Sequence, residues 1–328
     1  MRQKLGFASA LAALLATTLS AAAQPVKLRY GVIAASARNI QSVALYIAQD
    51  KGYLAKEGVE LQLVPLPGVE HMIEELDKGN VDISFTATPY LINAVLKGSD
   101  AVAVVGGPQN TIYSLIAKPG LKTFEDLRGK TVAMSLPVDT ISIATRLMLA
   151  KHGVKEGDFT PKVLIGTPPR AQCLESGACD AAPLSQPEDF SFVAKGYSKI
   201  GDSLDVISEL QFSVVAARRA WARDHADEIT RFARAYAAAF RYMADPANRA
   251  DVVKIIADKT GTTPELAAAI MTFFYDPDRG VMPKHAEISM AGLSKVIELL
   301  GASGQLPAPL PAAERFVDLS YLQKAGLE

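Results

Sequence analysis

The chain has 328 residues, with 34 Lys plus Arg against 35 Asp plus Glu. So even a balance gives no support to nucleic-acid binding. Hydrophobic residues at 49% and aromatics at 7% describe an ordinary globular core, and the length leaves room for two domains or one large one.

Arg2 and Lys4 precede the apolar run LGFASALAALLATTL, which leads into SAAAQ. A charged start, a short apolar stretch and small residues before a cleavage point predict an export signal over residues 1–23, cut between Ala23 and Gln24. The run is too short for a transmembrane anchor, and no Cys follows the cleavage point to carry a lipid. The expected destination is the periplasm.

KLRYGVIAA then reads as a strand entering a loop, and NIQSVALYIAQDKGYLAKEG as helical, with Val43, Ile47 and Leu54 along one face. VELQLVPL, VDISFTA and AVAVVGG are further strands, separated by the helical segments PGVEHMIEELDKG and PYLINAVLKG. Strands alternating with helices predict an α/β fold with helices on both faces of the sheet. TIYSLIAKPG leaves this unit, and the alternation restarts from Gly129 and Lys130, with predicted helices Ile141–His152 and Pro169–Ser176 and strands Lys162–Ile165 and Asp180–Pro183. VISELQFSVVAARRAWA is expected to return the chain to the first lobe. The predicted lobes are therefore 24–112 plus 214–328, and 113–213. AWARDHADEITRFARAYAAAFRYMA reads as one long helix whose Arg218, Arg219, Arg223, Arg231 and Arg234, interleaved with acids, form a solvated face. TTPELAAAIMTFF offers Thr263 as a cap with Pro264 in the first turn, and AEISMAGLSKVIELLG is the last clear helix before a proline-rich tail.

One phrase occurs twice: ELDKGNVDISFTATP, Glu75–Pro89, and CLESGACDAAPLSQP, Cys173–Pro187. In each a glycine stops a helix, an aspartate opens a buried strand, and a small-polar loop ends at proline. Ligands of open α/β sheets bind outside the carboxyl ends of the strands, so two such lobes would face each other across a cleft walled by these loops. Cys173 and Cys179, the only cysteines, both fall in the second phrase, and in an oxidising compartment a pair this close predicts a disulfide.

Through LYIAQDKGYLAKEGVELQLV, LDKGNVDISF, TFEDLRGKTVAMS and LESGACDAA, in this order over essentially the whole mature chain, the sequence resembles periplasmic solute-binding proteins of ABC importers. The family serves aliphatic sulfonates, taurine, nitrate and thiamine-pyrimidine precursors. The resemblance implies a two-lobed, type II-like periplasmic-binding-protein fold, each lobe a mixed sheet flanked by helices and joined to the other by two hinge crossings. It also implies a monomeric receptor that closes on a small anion and hands it to a membrane permease.

Anions in such clefts are held by helix N-termini and short hydroxyl side chains. The candidates at strand ends are Ser36, Thr86, Thr88, Asn110 and Thr111 in the first lobe, and Ser135, Thr140, Thr167 and Ser185 in the second. Each of these is also a natural helix cap. Arg38 and Arg170 sit ahead of or inside a first helical turn, where a cation opposes the helix dipole, and so are candidates for a ligand carboxylate or sulfonate. Of the aromatics near strand ends, Phe85, Tyr90, Tyr113, Phe190 and Phe212, one or two are expected in the pocket and the rest in the core.

Some relatives of this fold are enzymes, of pyrimidine-synthase or menaquinone-pathway type. Here the four histidines are scattered, and neither a nucleophile elbow nor a glycine-rich phosphate loop is present. No enzyme activity, metal or cofactor is expected.

Overall fold

The computed structural model describes residues 25–34, 40–110, 113–276 and 279–327. The export signal, Ser36, Arg38 and Thr111 lie outside them.

The chain opens with β1 (Val26–Ile33), β2 (Val59–Leu66), β3 (Ile83–Ala87) and β4 (Ala101–Gly106). It then crosses to β5 (Ser114–Ala117), β6 (Thr131–Met134), β7 (Thr160–Val163), β8 (Ala181–Leu184) and β9 (Ser198–Asp202), and returns as β10 (Ser213–Arg218). Two five-stranded sheets result, ordered β2-β1-β3-β10-β4 and β7-β6-β8-β5-β9. Both are mixed: β10 runs antiparallel to β3 and β4, and β5 antiparallel to β8 and β9. In each sheet the antiparallel strand is the one that has just crossed over. Strands covered on both faces read as unbroken apolar runs rather than alternating ones, which is why AVAVVG, SLIA and AAPL are buried throughout.

The doubled phrase is explained at the end of the sheets away from the crossings. Gly79 and Gly177 take φ of +74° and +79°, a left-handed turn open to glycine at no steric cost. Asp82 accepts the backbone N–H of Arg29 at 2.8 Å and its guanidinium, tying β3 to β1. Asp180 does the same for β8 and β6, accepting the N–H of Thr131 at 2.9 Å and Lys118 Nζ at 2.8 Å. The Cys173–Cys179 disulfide is present, with Cα atoms 5.3 Å apart, and fastens helix Thr167–Glu175 to the start of β8.

Helix Ala226–Ala244 covers the first sheet with Ile229, Phe232, Ala233, Tyr236 and Phe240 at helical spacing, and Phe232 meets Tyr30 of β1 with ring centroids 5.8 Å apart. The long helix read from sequence is in fact two. His225 breaks it with φ −119° and ψ 36°, leaving Arg219–Asp224 as a separate short helix, and Arg218 belongs to β10. Nor is its polar face merely solvated, since Arg234 reaches Glu57 at 2.8 Å. Thr263 caps helix Pro264–Phe274 as expected, accepting from the N–H of Leu266. The proline-rich tail does not end the structure: Phe316 is buried and a last helix spans Ser320–Ala325. Helix Glu188–Ala194 and β9 were likewise not read from the sequence.

The two crossings are bonded to each other. Gly107 N–H donates to Ser213 O, Phe212 N–H to Gln109 O and Ser213 N–H to Pro108 O, at 2.8–3.1 Å. Gln211, wholly buried, donates to Ser213 O at 2.7 Å and accepts from the N–H of Ser289 at 2.7 Å, so the C-terminal segment is tied into the same junction.

Candidate ligand-binding cleft

A cleft of ≈340 Å³ lies between the carboxyl ends of the two sheets. Ile33 ends β1, Pro67 and Gly68 follow β2, and Phe85 and Ala87 belong to β3; these form one wall. Ser135 follows β6, Ile165 to Arg170 follow β7, and Pro187 and Glu188 follow β8; these form the other. Tyr113 on the first crossing and Phe212 on the second close the floor, their ring centroids 6.1 Å apart. Among the described residues there is a larger groove of ≈750 Å³, bordered by Glu70, Glu74, Asp77, Lys78 and Lys97. It is an open, charged surface, so the more enclosed cleft is the better candidate.

Of the residues picked from sequence, Ser135, Arg170 and Phe212 line the cleft, as do Thr167, Phe85 and Tyr113. The others stand behind its walls. Thr88 donates its hydroxyl to Gln211 O, and Thr86 is wholly buried beside Ala87 O. Thr140 is buried in the first turn of helix Thr140–Lys151, and Ser185 shares a hydrogen bond with Thr167 at 2.9 Å. Asn110 is a junction residue: its Nδ2 donates to the carbonyls of Ser208, Arg279 and Gly280. Tyr90 borders the surface groove, and Phe190 meets Phe273 of the first lobe edge-on at 6.3 Å.

Arg170 has no exposed surface. Its Nε donates to Pro183 O at 2.8 Å, and its terminal nitrogens to Leu164 O and Thr167 Oγ1; its Cζ lies 5.5 Å from the centre of the Tyr113 ring. Burial lowers its pKa, opposed by the nearby Tyr113 and Asp139. Burial also lifts Tyr113 to about 12 against the pull of that guanidinium.

Two carboxyl groups in the lining were not read from sequence. Asp139 accepts from the N–H of Ile141 at 3.0 Å and from Ser135 Oγ at 2.8 Å; burial raises its pKa against those bonds and against Arg170. Glu188 opens helix Glu188–Ala194, and burial raises its pKa too. Its Oε2 is enclosed and receives no hydrogen bond. A signal for each was present: Asp139 is the residue before a helix, and Glu188 follows the proline that closes the second phrase.

Residues 39–250 match the family model described as "NMT1/THI5 like". The chain belongs to the NMT1/THI5-like family. A relative of this member is the provisionally named binding protein YtlA of Bacillus subtilis (strain 168), 22% identical over 323 residues, covering 94% of this chain and 93% of that one. The alkanesulfonate-binding protein SsuA of Xanthomonas axonopodis pv. citri, solved with MOPS, superposes with a TM-score of 0.67 at 20% identity, covering 90% of this chain and 99% of that one. The periplasmic nitrate-binding protein NrtA of Synechocystis PCC 6803 gives 0.73 at 16%, over 92% and 88%. At these identities the solved structures establish the shared periplasmic-binding-protein fold.

Proposed function

We propose that this protein is the periplasmic receptor of an ABC importer, a monomer that takes a small organic solute into the cleft between its lobes, 24–112 plus 214–328 and 113–213, and presents it to a membrane permease. The observation that carries this reading is the aromatic-floored cleft at the strand ends of two sheets joined by only two paired crossings. The relatives' names as sulfonate-, nitrate- or unspecified binding proteins support it. The volume is within the range of about 300–1,000 Å³ typical of small-molecule sites. No His or Cys is among the described lining residues, which favours capture over catalysis. The expectation of an organic carboxylate or sulfonate rests, within that lining, on Arg170 alone.

The test is a panel of sulfonates, carboxylates, nitrate, pyrimidines and aromatic amines, followed by thermal shift and titration calorimetry. One class should bind saturably at one per chain and be recovered chemically unchanged. Turnover of a panel member without any stabilisation sinks the receptor reading.

A further inference from the structure

Resting on that receptor reading, we infer that the cleft is built for an uncharged or cationic planar solute bearing N–H donors, and that Glu188 is the acceptor that selects it. Three features of the second lobe work against capture of an anion by its helix N-termini.

First, the N-terminus of helix Thr140–Lys151 is already occupied. Asp139 takes the N–H of Ile141, so the position an incoming anion would fill holds a protein carboxylate. Second, helix Glu188–Ala194 begins with Glu188 and Asp189, and Asp189 takes the N–H of Phe190. Third, helix Thr167–Glu175 carries Pro168 and Pro169 in its first turn, and proline has no N–H to offer. The sequence TPPR thus places a helix end at the cleft while removing two of its donors.

Charge points the same way. Arg170 is the one cation among the described lining residues, and three of its hydrogen bonds go to the chain itself. Asp139 and Glu188 oppose it. A buried complex favours neutrality, because an uncompensated charge removed from water is costly. Among the described lining residues, an anion beside two carboxyl groups and one guanidinium leaves a negative balance unless both carboxyls are protonated. A cation with both carboxyls ionised, or a neutral N–H donor with one of them protonated, leaves these groups balanced. The enclosed Oε2 of Glu188, with no donor from the chain, is an acceptor whose partner a ligand can supply. The apolar body of such a solute is provided for by Phe85, Tyr113 and Phe212.

The experiment uses three probes on one ring: benzamidine, benzamide and benzenesulfonate. They are titrated by calorimetry into the wild type and Glu188→Gln. Benzamidine and benzamide should bind at least about tenfold more tightly than benzenesulfonate, and the variant should narrow that gap to about threefold or less. Equal or tighter binding of benzenesulfonate, or a gap unchanged in the variant, overturns the inference. So does failure of all three probes to bind. If sulfonates or carboxylates of the wider panel bind saturably, only this inference falls; if no solute of any charge binds, the receptor reading falls as well.

Ligand-free stability gives an independent readout. The charged groups facing Glu188 are Asp189 on its own helix and Arg170 on the same wall of the cleft. Burial raises Glu188 above the ordinary carboxyl range, so ionising it costs folding stability as pH rises from its unfolded value through its folded one. Glu188→Gln removes that cost. The Tm of the variant relative to wild type should therefore increase as pH rises above the ordinary glutamate value of about 4.3. A flat difference overturns the inference.

Discussion

Among the described residues Arg170 is the largest wholly buried side chain, and its surroundings separate two roles that a cleft arginine can play. Its bonds to Pro183 O, Leu164 O and Thr167 Oγ1 join the β7–helix loop to the end of β8, so it holds the second wall in shape before any ligand arrives. Arg170→Met should lower stability in urea unfolding by about 3 kcal/mol, because two carbonyls and Asp139 lose their partner. Arg170→Lys should recover little, a single ammonium being unable to reproduce the planar fork. Wild-type stability in the methionine variant would return Arg170 to a purely ligand-directed role. At this scale the sequence was only half legible. Ser135, Arg170 and Phe212 could be placed at the cleft because they follow or precede strand ends. Thr86, Thr88, Thr140 and Ser185 carry the same hydroxyls in the same local context, yet they turn to Gln211 O, to Thr167 or into the core. Which way a hydroxyl turns depends on the crossing strand beside it, and no local pattern encodes that.

At the scale of elements the repeated phrase proves to be structural at its glycine and aspartate and divergent beyond them. Asp82 and Asp180 hold neighbouring parallel strands together at the ends remote from the cleft, and that role needs the same residue in both lobes. Only the second phrase adds a disulfide, and it closes on the helix that carries Thr167 and Arg170. Replacing both Cys173 and Cys179 by Ala should cost about 2 kcal/mol, the chain-entropy value for so short a loop. It should also weaken ligand binding more than an equally destabilising change elsewhere in the core. Denaturation with and without reductant checks the first effect, since the wild type should respond to reductant and the variant should not. Alternation of strand and helix was legible because the turn signals and apolar runs are strong. Helix Glu188–Ala194 and β9 were missed because EDFSFVA and SKIGD are short and mixed in polarity. The break at His225 was missed because the apolar period on either side continues in phase.

For the whole molecule, the sheet registers fix what a probe can sense. Ser213 pairs with Ala87 at the cleft end of the first sheet, whereas Ala217 pairs with Ile83 toward the other end. The sole tryptophan, Trp221, lies beyond that far end, stacked on His225 with ring centroids 4.4 Å apart. Intrinsic tryptophan emission should therefore stay nearly flat through a titration that calorimetry shows to saturate. A strong quench would mean that ligand or closure reaches the far side of the first lobe. The paired crossings have a further effect. Two strands hydrogen-bonded to each other can bend or twist together, but they do not slide past each other. Phe212 is held in that pairing and Tyr113 by Ser203, whose N–H donates to Tyr113 O at 2.9 Å, so both rings are anchored at the junction. On the receptor reading proposed above, the aromatic floor is in place before closure, while Arg170, Asp139 and Glu188 meet the opposite wall only on closing. Recognition would then be divided in time: the ring body of a solute sorted at first encounter, and its polar groups judged afterwards.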